Sequence, residues 1–266
     1  RPEFALGYLN PETSSSDIQS TYYSISTLNL LGFPLADANK TLEFVLNCSN
    51  NNGGFGIRPN ATISDFKSGW AAMKSIEILK PMLNLTVTDT NSIQQVSIQY
   101  YNWLHFFQAK NALFGKITIE SNYFGMLTYS TMGYLDSEQT SQFQAIKTNI
   151  LNFVLTCYNL DDGGFGSQPG QNATLFSTYC GIKLLEMIIP RDRPWFQTTP
   201  VNLLNKTTNY LAQLQNPDGG FRIGDDVDYL LSLFGAFSVL FTDLINTNAS
   251  TIESTYWALT SLELIN

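Results

Sequence analysis

Three phrases constrain this chain more than anything else in it: "NNNGGFGIRPN" from Asn50, "LDDGGFGSQPG" from Leu160 and "NPDGGFRIG" from Asn216. Gly54 to Gly164 is 110 residues and Gly164 to Gly220 is 56, so one eroded copy between the first two makes the period about 55. "AKNALFGKI", with Phe114 and Gly115, lies where that copy belongs. A fixed period of this length is the mark of a stacked repeat architecture.

Each phrase follows an apolar stretch with helical spacing: "TLEFVLNCS", "NILNFVLTCYN" and "NYLAQLQNP". Leu, Phe and Val recur there as the buried stripe of a helix does. Gly and Asn at the end adopt left-handed backbone angles and stop it. The phenylalanine after each glycine pair, Phe55, Phe165 and Phe221, is expected to plug back between helices.

A polar gap and a second helix come next. Gly56 to Gly69 and Gly166 to Tyr179 are both 13 residues, which aligns "KSGWAAMKSIEIL" with "STYCGIKLLEMI". "STYY" from Ser20 and "STYW" from Ser254 join the series. The aligned positions are Tyr22, Gly69, Tyr123, Tyr179, Phe234 and Tyr256, in steps of 47, 54, 56, 55 and 22. The last step is too short for a helix pair, so either the terminal unit is incomplete or one of the last two matches is misplaced. Serine ahead of each helix reads as an N-cap. The aromatic packs in the first turns, and a small residue then lets the next helix approach. Alternating helix pairs of this kind stack as inner and outer layers of one all-α domain, expected to span residues 1–266.

Charged residues make up only 14% of the chain and the formal net charge is -8, with a pI of about 4.6. Nucleic acid and anionic membrane surfaces call for basic stripes, so neither is an expected partner. No run of 18 or more apolar residues suggests a membrane span. Seven N-glycosylation acceptor patterns start at Asn39, Asn47, Asn60, Asn84, Asn172, Asn205 and Asn248, against roughly four from composition alone. With so few charges, they point to an extracellular or cell-surface protein. Three cysteines, Cys48, Cys157 and Cys180, lack metal-ligand spacing, and His105 is the one histidine. A chain that begins at Arg1 and ends inside "WALTSLELIN" reads as a processed product or a piece of a longer polypeptide.

"DDGGFGSQPGQNATLFSTYCGIKLLEMI", "PDGGF" and "STYYSISTLNLLG" resemble the repeat of the protein prenyltransferase beta-subunit and terpenoid cyclase superfamily. The resemblance covers most of the chain and implies an alpha/alpha toroid of inner and outer helices. Its members' signatures do not follow with it. Zinc-binding prenyltransferases use an Asp-x-Cys pair and a later His; the nearest counterpart here, Asp228 and Tyr229, has no Cys. The acid of squalene-type cyclases, the Asp-rich helices of class I terpene enzymes and a Cys-Gly-Glu-Gln thioester element are also missing, Cys180-Gly181 being followed by Ile182 and Lys183. No metal or other cofactor is therefore expected, and no catalytic residue is assigned.

Candidate ligand contacts are Tyr22, Tyr23, Trp70, Tyr123, Phe124, Tyr179, Cys180, Phe234, Tyr256 and Trp257, which the repeat places on the inner helices. Aromatic walls suit apolar or cationic ligands, and they suit core packing equally. Asp225, Asp226 and Asp228 form an acidic rim with either a cation-binding or a helix-capping role. On these grounds the favoured reading is a non-catalytic toroid, not an enzyme, that binds a protein, a glycan or another domain of the same polypeptide. An isoprenoid-handling enzyme and a carrier of a small apolar molecule stand as alternatives.

Overall fold

The computed structural model describes residues 9–10, 15–108, 118–133, 141–189, 201–222 and 250–265. Among them the chain is all-α, apart from four two-residue strands. The helices are α1 (Ile18–Leu30), α2 (Ala38–Asn47), α3 (Phe66–Leu79), α4 (Val87–Gln108), α5 (Ile119–Thr131), α6 (Ser141–Thr156), α7 (Leu175–Ile188), α8 (Val201–Gln213) and α9 (Ile252–Ile265). The strands are β1 (Leu9–Asn10), β2 (Ser15–Ser16), β3 (Phe221–Arg222) and β4 (Ser250–Thr251), paired antiparallel as β1 with β2 and β3 with β4. The eroded repeat at Phe114 and Gly115 lies outside the described residues, as do Asp225, Asp226, Asp228 and Phe234.

Packing divides the chain into two compact units, residues 1–115 with 124–140, and residues 116–123 with 141–266. In the first, α3 packs on α1, α2 and α4. In the second, α7 packs on α6 and α9, and α9 also packs on α8 and β3. Among the described helices, α1 therefore lies beside α3 and α7 beside α9, with α2 against α3 and α8 against α9. These packed helix pairs are the architecture of an alpha/alpha toroid. Burial separates the two kinds of helix. Eleven of the fourteen residues of α7 are buried, whereas α2 buries one stripe, Thr41, Leu42, Phe44 and Val45. A helix buried on most sides belongs to an inner layer and a one-striped helix to an outer one.

The glycine phrases form one repeated device. Gly53, Gly163 and Gly219 take φ of 89°, 88° and 86°, a conformation with little penalty only for glycine. Carbonyls of Gly54, Gly164 and Gly220 accept from the N–H groups of Asn50, Asn159 and Asn216 at 2.8–2.9 Å. Phe55, Phe165 and Phe221 bridge back to Ser49, Tyr158 and Gln215, and all three are at most 2% exposed. Asn52 and Asp218 accept from the N–H of Gly54 and Gly220, both at 2.9 Å. The polar residues before the glycines are therefore turn-formers.

The structure bears on two sequence expectations. Ser20, Ser68 and Ser177 are not N-caps. The caps are Asp17, Asp65 and Thr174, three residues earlier, and each accepts from the serine N–H at 2.7, 2.7 and 3.0 Å. The serine hydroxyl then hydrogen-bonds the cap side chain, at 2.9, 2.6 and 2.8 Å. Thr118 and Ser121 repeat the arrangement before α5. The four-letter phrase thus begins one turn inside the helix.

The second concerns the 22-residue step, for which an incomplete terminal unit and a misplaced match were both open. The Phe165 N–H donates to Thr178 Oγ1 at 2.9 Å across 13 residues. The Phe221 N–H donates to Thr255 Oγ1 at 3.0 Å across 34. Thr178 and Thr255 are the second letters of "STYC" and "STYW". The helix that closes the third turn is therefore α9.

Candidate functional site

The inner-helix aromatics meet in two clusters, one in each unit. In the first unit Tyr22 and Trp70 stand edge to face, with centroids 4.7 Å apart, and Trp70 lies 5.5 Å from Phe124. Tyr23 is 5.2 Å from Tyr22 and 46% exposed. The buried Trp70 Nε1 has no hydrogen-bond partner. Helix periodicity accounts for the grouping, because Tyr22, Trp70 and Phe124 occupy the same turn of α1, α3 and α5 and α1 packs on α3.

In the second unit Tyr123 and Tyr179 meet edge to face at 5.7 Å, their hydroxyls 3.2 Å apart. Tyr256 lies next to Tyr179 in turn, with ring centroids 6.1 Å apart. Trp257 lies 6.3 Å from Tyr179 and 4.5 Å from Phe176. Cys180 is fully buried beside the phenols. Phe176 was not singled out by the repeat, although its position one turn before Tyr179 on the same helix face was a usable signal. Glu120 was missed as well. It accepts from Ser177 Oγ at 2.5 Å and from Ser167 Oγ at 2.7 Å, and so clips the start of α5 to α7. Nothing local to Glu120 announces partners 47 and 57 residues away.

Burial is the first cause of every shifted phenol and thiol. It pushes the Tyr123, Tyr179 and Tyr100 phenols up from their ordinary value, with neighbouring phenols and Cys180 adding to the rise at Tyr123. Burial, reinforced by the Asp17 charge, pushes the Cys48 thiol up to about 12. Burial, reinforced by Glu120, does the same at Cys157, also to about 12. These groups stay neutral when folded but ionise sooner when unfolded, so the unfolded state gains as pH rises. Stability is whole below pH about 9 and falls from there towards 12. Urea melts at pH 7, 9 and 10 are expected to show a loss of roughly 2 kcal/mol between pH 9 and 10 from the two thiols. Replacing both with alanine should flatten that slope.

The resemblance to zinc-binding prenyltransferases can be tested on donors. Zinc wants three or four converging Cys, His or carboxylate ligands with thiols ionised. Among the described residues no group of three such side chains converges. Cys48 and Cys157 are buried with raised thiols, and His105 Nε2 is engaged by the Tyr101 hydroxyl at 2.5 Å. The described donor set does not fit zinc, and no step is derived through it. Cys48, Cys157 and Cys180 are buried and none is in a disulfide. Asn47, Asn60, Asn84, Asn172 and Asn205 are exposed, and Asn248 lies outside the described residues. No described helix is long and apolar enough to cross a membrane.

Residues 7–224 match the family model described as Prenyltransferase alpha-alpha toroid domain. Protein farnesyltransferase subunit beta of Pisum sativum is 24% identical over 188 residues, covering 65% of this chain and 41% of the relative. The Arabidopsis thaliana subunit of the same name is 22% identical over 222 residues, covering 82% of this chain and 42% of the relative. The chain thus spans about two fifths of the length of these relatives. Among solved structures, Candida albicans protein geranylgeranyltransferase-I complexed with GGPP is similar, with a TM-score of 0.48 and 18% identity, over 93% of this chain and 80% of that one.

The sequence matches overturn the reading of a non-catalytic toroid that is not an enzyme. The matching family and the named relatives are those of prenyltransferases, which favours the isoprenoid-handling alternative. Absent metal-ligand spacing is not the same as absent catalysis. Repeat frameworks are set by helix packing, so they identify a family independently of any one ligand side chain.

Proposed function

Because the chain belongs to the prenyltransferase alpha-alpha toroid family, we propose that it is a catalytic isoprenoid-handling domain, acting by prenyl transfer or by cyclisation. Family membership across residues 7–224 carries this reading. The aromatic clusters support it, since Tyr, Trp and Phe faces bury a polyprenyl chain and stabilise the positive charge that develops in either reaction. Trp257, 5% exposed, and Tyr179, 7% exposed, are well placed to exclude water from such a charge. The relatives' names as beta subunits support a protein partner as well. The test is native mass spectrometry and product analysis of the whole chain with prenyl diphosphates, prenols and squalene. Retention or conversion of at least one isoprenoid is expected, weakened about tenfold or more in Trp257→Ala. Retention of none would overturn the proposal.

Extracellular or cell-surface placement is part of the same proposal. The exposed acceptor asparagines and the sparse charge support it. Protein from its native source is expected to exceed the sequence mass and to lose the excess on deglycosylation. A native mass equal to that of the sequence would count against it.

A further inference from the structure

At three inner-helix caps the residue two places on reaches the next inner helix. After Asp17 it is Gln19, whose Nε2 donates to Ser68 Oγ of α3 at 3.5 Å. After Thr174 it is Phe176, whose ring lies 4.5 Å from Trp257 of α9. After Thr118 it is Glu120, which accepts from Ser177 Oγ of α7 at 2.5 Å and from Ser167 Oγ at 2.7 Å.

Glu120 makes the firmest of these ties. Each of its two oxygens is taken by a hydroxyl, and hydrogen bonds to a carboxylate are shorter and stronger than neutral ones. Ser167 is held twice, because its carbonyl also accepts from the Ile119 N–H at 3.0 Å. In the first unit the matching carbonyl belongs to Ile57, which accepts from the Ile18 N–H at 2.9 Å but has no hydroxyl to offer Gln19. The first turn of α5 is therefore fixed both to the glycine turn and to α7. Tyr123 stands one turn further along α5, and Tyr179 stands two residues beyond Ser177 on α7. Their rings meet edge to face at 5.7 Å with hydroxyls 3.2 Å apart, and both residues are 7% exposed. Such a contact survives only at one register of the two helices. A slip of one residue moves a side chain about 1.5 Å along the axis and turns it by about 100°.

We propose that Glu120 is a positioning residue of the second aromatic cluster: its carboxylate sets α5 against α7 through Ser177 and Ser167, and so holds Tyr123 and Tyr179 in the arrangement that the isoprenoid meets. The proposal deepens the isoprenoid reading above and rests on it for the ligand. The effect of Glu120 on that ligand passes through the two phenols. Glutamine should serve almost as well, since it fills this place in the first unit and both donates to and accepts from a serine hydroxyl.

The test compares the whole chain with Glu120→Gln, Glu120→Ala and Ser167→Ala, under conditions where urea melts show each form folded. Near-ultraviolet circular dichroism reads how the buried aromatic rings are held and needs no ligand. Titration calorimetry with farnesyl diphosphate and with farnesol reads the site. Glu120→Ala is expected to lose much of the aromatic signal at unchanged helicity and to bind the isoprenoid about tenfold more weakly. Ser167→Ala keeps the Ser177 bond and should weaken binding about threefold. It is expected to fold as the parent does, because Ile57 occupies its place in the first unit, and it carries the test alone where Glu120→Ala does not fold. Glu120→Gln should keep the parent signal and bind within about twofold of the parent. A parent-like aromatic signal in the alanine variants, or failure of glutamine to restore what alanine loses, overturns the inference. So does a changed signal with unchanged isoprenoid affinity. Binding of neither isoprenoid by the parent overturns the isoprenoid reading beneath it, and circular dichroism then decides by itself whether Glu120 holds the pair.

Discussion

Gly69→Ala is expected to lower the unfolding free energy by about 3 kcal/mol. A Cβ at Gly69 would lie 2.1 Å from Tyr100 Oη and 2.2 Å from its Cζ. Tyr100 is fully buried, held edge to face by Phe55 at 5.3 Å and stacked on Trp103 at 5.7 Å, so its ring has nowhere to go. The cost is one of close approach, because Gly69 sits inside α3 with ordinary helical backbone. Gly219 supplies the contrast. Its φ is +86° and nothing lies within 4 Å of its Cβ position, so Gly219→Ala should cost roughly 1 kcal/mol, from backbone conformation alone. Chemical denaturation of both variants separates the two mechanisms. In a double-mutant cycle, Gly69→Ala with Tyr100→Leu should cost clearly less than the sum of the single changes.

Phe165→Ala should cost more, about 4 kcal/mol. The Phe165 ring packs against Gly181, whose Cβ position lies 2.9 Å from Phe165 Cγ, and stands edge to face with Tyr158 at 5.2 Å. It is 1% exposed. Its backbone N–H is the donor to Thr178, so the plug and the tie to α7 belong to one residue. Leu30→Ala is the control: Leu30 is 85% exposed and its loss should stay within about 0.5 kcal/mol. Equal midpoints for Phe165→Ala and Leu30→Ala in urea would refute the packing role given to the turn phenylalanines.

Much of this was legible from local chemistry. Gly53, Gly163 and Gly219 announced left-handed turns, and Phe55, Phe165 and Phe221 announced plugs, because a double glycine beside a buried aromatic has few other uses. The recurring Ser-Thr-Tyr phrase announced inner helices, and its repetition argued against a unique active site. The resemblance carried by these phrases identified the fold and the family. The caps were misplaced by one turn because Asp17, Asp65 and Thr174 differ in type while the serines that bond them are alike. Sequence similarity drew attention to the serines and away from the caps.

What the sequence determined by itself is the unit: a striped outer helix, a glycine turn with its plug, and an inner helix begun by Ser-Thr-Tyr or a variant of it. Those features rest on residues within about 15 positions of one another, where backbone propensity and periodicity decide the outcome. Only the tertiary structure decided which units join. It paired Phe221 with Thr255 across 34 residues, placed Glu120 against Ser167 and Ser177, and grouped the rings of Tyr123, Tyr179 and Tyr256. Closing a longer loop costs only slightly more entropy than closing a short one. Spacing therefore ceases to discriminate between partners at that range, and the buried contacts themselves make the choice.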